Sequence, residues 1–130
     1  MRGKYAPPAY HTPHPLSEAT WREQAQPLYS RAMIIITGGA GFVGSCLQAA
    51  LVARGQDTVS VDWLGTEGKW RNIAGHPPVR VIDPHTLPAF LDTLSGAEAV
   101  FHMGAISETT ARDGDLVWQT NVALSQTLWH

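Results

Sequence analysis

The apolar residues at positions 33–130 follow two alternating patterns. Short apolar and β-branched runs without helical spacing predict strands buried on both faces, as in a parallel sheet covered by helices. These runs occupy residues 34–36, 58–62, 79–82 and 99–103. Between and after them, apolar residues recur at intervals of three and four, which predicts amphipathic helices.

Three helices are predicted from this spacing. The first begins near Phe42 and ends before Gly55, the second is closed by Gly96, and the third extends over residues 115–129. The expected buried faces are Phe42, Val43, Cys46, Leu47, Ala50 and Leu51 in the first helix, Leu87, Phe90, Leu91 and Leu94 in the second, and Val117, Asn121, Leu124 and Leu128 in the third.

The order of these elements indicates the fold class. Strands that alternate with helices form a parallel sheet through right-handed crossovers. We therefore predict an α/β fold, a Rossmann-type doubly wound parallel sheet that is truncated after about four strands. Residues 33–130 would form this partial NAD(P)-binding domain. Residues 1–32 contain five of the nine prolines and little periodicity, and are predicted to be a mobile N-terminal extension.

A glycine loop, residues 38–44, separates the first predicted strand from the first predicted helix. Gly38, Gly41 and Gly44 have the spacing G-x-x-G-x-x-G, and Gly39 begins an overlapping G-x-G-x-x-G. Glycine permits a tight turn, close approach of a pyrophosphate to the backbone and close helix–strand packing, and the helix N-terminus attracts phosphate. Asp62, at the end of the second strand, is placed to bind ribose hydroxyls. The pattern predicts dinucleotide binding.

Glycine-rich segments also occur in ordinary turns and in the phosphate loops of nucleotide triphosphatases. A phosphate loop requires a lysine directly after its last glycine. Ser45 follows Gly44, so this class is excluded. An ordinary turn remains the alternative, although the preceding strand, the following helix and Asp62 favour a dinucleotide.

Further candidate residues follow the predicted strands, at the sheet edge where ligands bind in such folds. Lys69 could pair with the 2′-phosphate of NADP, or it could be a solvated surface lysine. Asp62 favours NAD instead, or it only caps the loop. Asp83 either contacts the adenine amino group or forms an Asp-Pro turn. Small residues at 103–105 would let the backbone approach the cofactor. Asn121 either braces the neighbouring loop or contacts the cofactor.

Composition and charge narrow the function classes. The net charge of −2 and the pI of about 6.3 give no indication of a nucleic-acid or membrane partner. No apolar run approaches the length of a membrane span, and we expect a cytoplasmic protein. Cys46 is the only cysteine and is expected to be a small buried residue. His11 and His14 have no third ligand nearby, so no metal site is predicted.

Three segments carry a resemblance to a known family. They are MIIITGGAGFVG at residues 33–44, VDWLG at 61–65 with KWRNI at 69–73, and FHMGAISETT at 101–110. Residues 33–130 resemble the N-terminal third of an extended short-chain dehydrogenase/reductase, and within that group the ADP-glyceromanno-heptose 6-epimerases. Many nucleotide-sugar enzymes share the first segment, whereas the third is more specific to the heptose epimerases.

The resemblance implies NADP as the cofactor, with NAD as the alternative. Together with the glycine loop, it gives the predicted cofactor-binding residues Gly38, Gly41, Phe42, Val43, Gly44, Asp62, Trp63, Lys69, Met103, Gly104, Ala105, Ile106, Ser107, Thr120 and Asn121. Two positions depart from the family pattern. Trp63 stands where a small polar residue is frequent, and Thr120-Asn121 replaces an Asn-Asn pair whose first member touches the cofactor.

The implied reaction is an isomerisation in the synthesis of lipopolysaccharide core heptose. NADP would remove a hydride from C6 of an ADP-activated heptose and return it to the opposite face. Family members form homo-oligomers and use a Tyr-x-x-x-Lys pair as acid and base. Tyr5, Tyr10 and Tyr29 are the only tyrosines, and none has a lysine four residues later. No catalytic residue is therefore assigned, and we expect this chain alone to show no turnover.

Two alternatives remain open at the level of sequence. One is another nucleotide-sugar epimerase or dehydratase, and the other is a non-catalytic NAD(P)-binding module. The segment 107–110 favours the heptose epimerase. The missing Tyr-x-x-x-Lys pair favours the module if the chain is a complete product.

The fourth predicted strand has two further expected properties. His102 lies within this apolar run and is expected to face the core. The outer edge of the strand is expected to be apolar and unpaired, which favours edge-to-edge association.

Overall fold

A computed structural model describes residues 33–129 and shows a four-stranded sheet. The strands are β1 (Met33–Thr37), β2 (Thr58–Val61), β3 (Arg80–Ile82) and β4 (Ala97–His102). Their order is β3-β2-β1-β4, and every neighbouring pair is parallel. The predicted fold class, a Rossmann-type parallel α/β sheet, is confirmed. The predictions made for residues 1–32 lie outside the described residues.

The helices connect the strands in the predicted order, with one additional short helix. They are α1 (Phe42–Val52), α2 (Arg71–Ala74), α3 (Leu87–Leu91), α4 (Gly114–Trp118) and α5 (Leu124–Trp129). A 3₁₀ turn, Pro84–Thr86, precedes α3, and a π-helical segment, Gln119–Ala123, joins α4 to α5. The additional helix is α2, which the apolar spacing did not predict. None of the helices within residues 33–129 is long and apolar enough to cross a membrane.

The core lies on both faces of the sheet, and β1 is buried along its whole length. Alternate residues of a strand point to opposite faces. Ile35 therefore joins a cluster that includes residues of β2, β3 and α3, while Ile34 and Ile36 pack on the other face with Leu51 of α1. The first cluster consists of Met33, Ile35, Val59, Val61, Ile82, Leu87 and Phe90, with Leu91, Leu94, Leu124 and Leu128 packed against it. The predicted apolar face of the second helix thus contacts the core, and so do Leu124 and Leu128 of the third, whereas Val117 and Asn121 are not among the residues packed against it.

The predicted buried face of α1 is largely wrong. Phe42 is 85% exposed, Val43 is 58% exposed, and Cys46 is exposed rather than buried. Leu51 is buried as predicted and Leu47 packs against the core, but the other residues that α1 buries are Gly44, Ser45 and Gln48. The buried face also has helical spacing, but its centre is rotated around the helix by about 140° from the predicted one.

Two contacts explain the rotation of α1. A Cβ on Gly44 would lie 2.1 Å from the carbonyl oxygen of Gly38, so this glycine packs directly on the loop. One turn further on, the Gln48 side chain is fully buried and donates to Thr58 Oγ1 at 2.8 Å and to the carbonyl of His76 at 3.3 Å. These hydrogen bonds satisfy the NH2 group of the amide, while Oε1 is buried without a hydrogen-bond partner among residues 33–129. A polar residue thus occupies a position that apolar periodicity could not indicate.

Candidate functional site

The glycine loop is built from glycines with different roles. Gly38 has φ +68°, and its missing Cβ would lie 2.8 Å from Cα of Gly104. A Cβ on Gly39 would lie 2.2 Å from Ser60 Oγ. Gly41, the N-cap of α1, has an ordinary φ of −71° and only the carbonyl oxygen of Gly38 near its missing Cβ, at 3.1 Å. Close packing therefore explains Gly38, Gly39 and Gly44, whereas Gly41 is the least crowded of the four, with one tight contact.

Asp62 holds the glycine loop against the end of β2. Its carboxylate is buried, accepts a 2.9 Å hydrogen bond from the backbone N–H of Ala40 through Oδ2, and accepts a 2.5 Å bond from Lys69 Nζ through Oδ1. The carbonyl of Ala40 accepts a further bond from the side chain of Asn72 in α2, at 2.8 Å. The loop-capping role of Asp62 is thus present in the structure, while contact with a ribose remains a prediction.

Lys69 is an ion-pair partner of Asp62 rather than a solvated surface lysine. Its side chain is 38% exposed, so its ammonium group also reaches the open space in front of the loop. The ion pair brings together the two residues that were predicted to favour different cofactors.

A cavity of about 240 Å³ opens in front of the glycine loop, and we call it the loop cavity. It contains ten of the predicted cofactor-binding residues, namely Gly38, Gly41, Asp62, Trp63, Lys69, Met103, Gly104, Ala105, Ile106 and Thr120. Thr37, Val61, Pro84 and Leu124 complete its lining. Residues from the ends of β1, β2 and β4 therefore meet at one sheet edge, where ligands bind in open parallel sheets.

The other five predicted residues do not line this cavity. Phe42 and Val43 are exposed in the first turn of α1, and Gly44 packs beneath Gly38. Ser107 follows the lining residues of the β4 loop, which we define as residues 103–107. Asn121 acts as a brace, because Ile106 N donates to its Oδ1 at 2.8 Å and its Nδ2 donates to the Ile106 carbonyl at 2.9 Å.

Thr37 holds the beginning of the β4 loop. Its Oγ1 accepts hydrogen bonds from the backbone N–H groups of Met103 and Gly104, both at 3.0 Å. A Cβ on Gly104 would lie 3.0 Å from Gly38 N, so the two glycine-containing loops touch through their backbones. The sequence offered one signal for Thr37, its position between the first strand and the first glycine, but did not indicate a partner.

His102 does not face the apolar core, contrary to the sequence-based expectation. Its Nδ1 lies 2.6 Å from Thr37 Oγ1, and its Nε2 lies 2.8 Å from Ser125 Oγ on α5. The residue stays accessible to solvent, but both ring nitrogens bond protein groups. Partial burial lowers the pKa of His102 below its usual value of 6.5. Periodicity could not reveal this role because both partners are distant in the sequence.

A second cavity, of about 200 Å³, adjoins the loop cavity and shares Trp63, Pro84, Thr120 and Leu124 with it. The ring of Trp63 lies 5.3 Å from that of His85, at a tilt of 51°. Thr120 Oγ1 is buried and lacks a hydrogen-bond partner among residues 33–129.

Asp83 caps the 3₁₀ turn beside this second cavity, through a 2.8 Å bond from His85 N to its Oδ1. The Asp-Pro turn is therefore the interpretation that the structure supports. Within the described part of the chain, no three His, Cys, Asp or Glu side chains are grouped so as to hold a metal ion.

Comparison with known proteins finds relatives both in sequence and in structure. The chain is 41% identical over 103 residues to an ADP-L-glycero-D-manno-heptose-6-epimerase of Nitratidesulfovibrio vulgaris, covering 74% of this chain and 31% of that protein. The crystal structure of the Helicobacter pylori enzyme of the same name superposes with a TM-score of 0.64 at 30% identity, covering 76% of this chain and 34% of the other. An Agrobacterium tumefaciens short-chain dehydrogenase/reductase superfamily protein with bound NAD superposes with a TM-score of 0.56 at 30% identity, covering 74% of this chain and 27% of the other.

These relatives are about three times longer than the stretch they share with this chain, which spans about a third of their length. The sequence model of the NAD dependent epimerase/dehydratase family matches residues 34–130, which include every strand and helix described above except the first residue of β1. The chain belongs to the NAD dependent epimerase/dehydratase family.

Proposed function

We propose that this chain is the N-terminal, cofactor-binding part of an ADP-glyceromanno-heptose 6-epimerase and that it binds NADP in the loop cavity. The observation that carries the proposal is the position of Gly41. It borders the loop cavity at the N-terminus of α1 with an ordinary φ, and a Cβ there would meet only the Gly38 carbonyl oxygen, at 3.1 Å. Its own packing therefore requires a glycine less strictly than that of Gly38, Gly39 or Gly44. A pyrophosphate that approaches the backbone closely does require one.

The first turn of α1 would bind the pyrophosphate. The first N–H groups of a helix have no intrahelical partner and carry the positive end of the helix dipole. No side chain caps α1, because its N-cap is glycine. These N–H groups are thereby left to an anion in the cavity, and the exposed Phe42 and Val43 flank it.

The Asp62–Lys69 pair would select the cofactor. A 2′-phosphate offers Lys69 a second anionic partner, and charge-assisted hydrogen bonds of this kind are worth about 1.5–3 kcal/mol. Asp62 repels the phosphate but is partly neutralised by Lys69 and held in place by Ala40. We therefore infer a preference for NADP that depends on Lys69, with NAD as the weaker ligand.

The described residues would bind and orient the cofactor rather than transfer protons. When bound, a nicotinamide cofactor supplies hydride acceptance and return. The acid–base pair Tyr-x-x-x-Lys is absent from this sequence, in which Lys4 and Lys69 are the only lysines. We therefore propose that these 130 residues bind cofactor without inverting C6 of an ADP-heptose.

The test is a titration of NADP and NAD against three proteins. These are wild type, Lys69→Gln, and Arg54→Gln as a control that removes the same charge from an exposed position after α1. Wild type and Arg54→Gln should bind NADP about tenfold or more tightly than Lys69→Gln does. Equal NADP affinity in all three would remove Lys69 from the site, and no binding of either cofactor would refute the dinucleotide site itself.

If the 130 residues are a complete product, the missing catalytic pair favours a second candidate, a non-catalytic NAD(P)-binding module. Both candidates bind the cofactor, so binding does not separate them. The coding DNA beyond the His130 codon does. An in-frame Tyr-x-x-x-Lys segment there supports the epimerase, whereas an immediate stop codon supports the module.

A further inference from the structure

A continuous set of hydrogen bonds links the two supports of the β4 loop. Thr37 holds the beginning of the loop, Asn121 holds its end, and His102 with Ser125 connects them. Nδ1 of His102 lies 2.6 Å from Thr37 Oγ1, and Nε2 lies 2.8 Å from Ser125 Oγ. The Ser125 hydroxyl in turn donates to the backbone carbonyl of Asn121 at 2.8 Å.

The directions of these bonds define the tautomer of His102. A hydroxyl has one donor and two acceptor positions. Both acceptor positions of Thr37 Oγ1 are filled by the N–H groups of Met103 and Gly104. The Thr37 proton is therefore left to donate to Nδ1, so Nδ1 is unprotonated. The ring proton must lie on Nε2, where it donates to Ser125, whose own proton is used by Asn121.

We propose that His102 is a positioning residue for the dinucleotide, acting as the neutral Nε2–H tautomer, and that its protonation releases the β4 loop and weakens binding. The inference rests on the dinucleotide site proposed above, because residues 103–106 line the loop cavity. An imidazolium carries N–H groups on both nitrogens. Its Nδ1–H would face a hydroxyl with no acceptor position left, so a bond from Met103 or Gly104 to Oγ1 must break. Met103 N–H keeps its 3.2 Å bond to the Thr37 carbonyl, so the loosening acts on Gly104 and the residues after it.

The strands and helical segments that flank His102 carry few charged side chains. The strand β1 has no titratable residue, and β4 contains only Glu98 besides His102, four residues earlier and about 13 Å along the strand. Over residues 114–129 the only carboxylate is Asp115, ten residues before Ser125 and about 15 Å along the helix. The direct partners of the ring, Thr37 and Ser125, are uncharged, and partial burial lowers its pKa.

The experiment measures NAD affinity between pH 5 and pH 8 for wild type, His102→Asn and Thr37→Val. NAD is the probe because the 2′-phosphate of NADP itself titrates near pH 6. Asparagine retains an acceptor near the Nδ1 position but does not titrate. His76→Asn is the matched control, since it removes an exposed histidine whose side chain lies outside this network.

In wild type and His76→Asn, the Kd of NAD should rise by up to tenfold per pH unit below the pKa of His102. In His102→Asn it should change by about twofold or less over the same range. Thr37→Val should bind weakly already at pH 8 and lose the pH dependence. Imidazole ¹⁵N shifts of the wild type should show an unprotonated Nδ1 at pH 8. A protonated Nδ1, or an unchanged pH dependence in His102→Asn, would overturn the proposal.

A ligand-free measurement separates this proposal from the proposed function. Hydrogen exchange of the Gly104 and Ile106 amides, corrected for its intrinsic pH dependence, reports on the loop directly. Protection should fall on acidification in wild type but not in His102→Asn. If neither wild type nor any variant binds NAD, the proposed dinucleotide site is refuted. The difference in amide protection between wild type and His102→Asn still tests whether protonation releases the loop. An equal loss of protection in both proteins would overturn that release.

Discussion

Gly38 and Gly104 lie so close together that a Cβ added to Gly38 would be 2.8 Å from the Cα of Gly104. The contact joins the loop after β1 to the loop after β4, two strands that are neighbours in the sheet but distant in the sequence. Both loops line the loop cavity. The geometry of the candidate site therefore depends on close packing between these two backbones.

The glycines of the first loop should separate into two experimental classes. Gly41→Val should abolish binding of either cofactor while the protein still folds, because its side chain would enter the space assigned to the pyrophosphate. Gly44→Ala should destabilise the fold by about 1–3 kcal/mol, because its Cβ would collide with the Gly38 carbonyl.

Cofactor titration and chemical denaturation check the two effects, with Gly75→Ala as a control at a position where a Cβ meets nothing within 4 Å. Undiminished binding by a folded Gly41→Val protein would mean that the loop is only a structural turn.

Asn121 should contribute stability through the β4 loop. Asn121→Ala removes both partners of the Ile106 backbone and should cost about 1–3 kcal/mol of unfolding free energy. Faster hydrogen exchange of the Ile106 amide should accompany the loss. Gln126→Ala, at an exposed position on α5, is the control. Unchanged Ile106 exchange in Asn121→Ala would contradict the bracing role.

Stability should depend on pH through His102. Burial lowers its pKa in the folded protein, so the unfolded chain binds a proton more readily. The stabilisation that neutral His102 gives the folded protein is fully present above pH 6.5, the usual pKa of histidine. It is lost progressively as the pH falls below that value. Denaturation of wild type and His102→Asn between pH 8 and pH 5 measures the difference, which should shrink on acidification. A constant difference would show that His102 does not titrate differently on folding.

The outer edge of the sheet should promote self-association of this chain. The strand β4 lies at one end of the described sheet, with Val100 41% and Phe101 39% exposed. Unpaired apolar edges pair readily with other strands, and a charged residue on the edge opposes this. Size exclusion of wild type at increasing concentration should show larger species, and Phe101→Lys should shift them towards monomer. A wild-type monomer at all concentrations would contradict the expectation.

Local sequence patterns were sufficient to predict the four strands, their alternation with helices and the position of the glycine loop. Each of these features depends on residues close together in the chain, whose spacing reports burial directly. In a parallel sheet the carboxyl ends of the strands lie at the same edge. For this reason ten of the fifteen predicted cofactor-binding residues line one cavity.

Tertiary contacts decided the features that local spacing cannot report. The buried face of α1 depends on the fit of Gly44 against Gly38 and on the partners that Gln48 finds in Thr58 and His76. The orientation of His102 depends on hydroxyl groups 65 and 23 residues away. Apolar periodicity indicates which positions of a helix or strand are buried. The hydrogen-bond partners of a polar side chain depend instead on which distant segments the fold brings within about 3 Å of it.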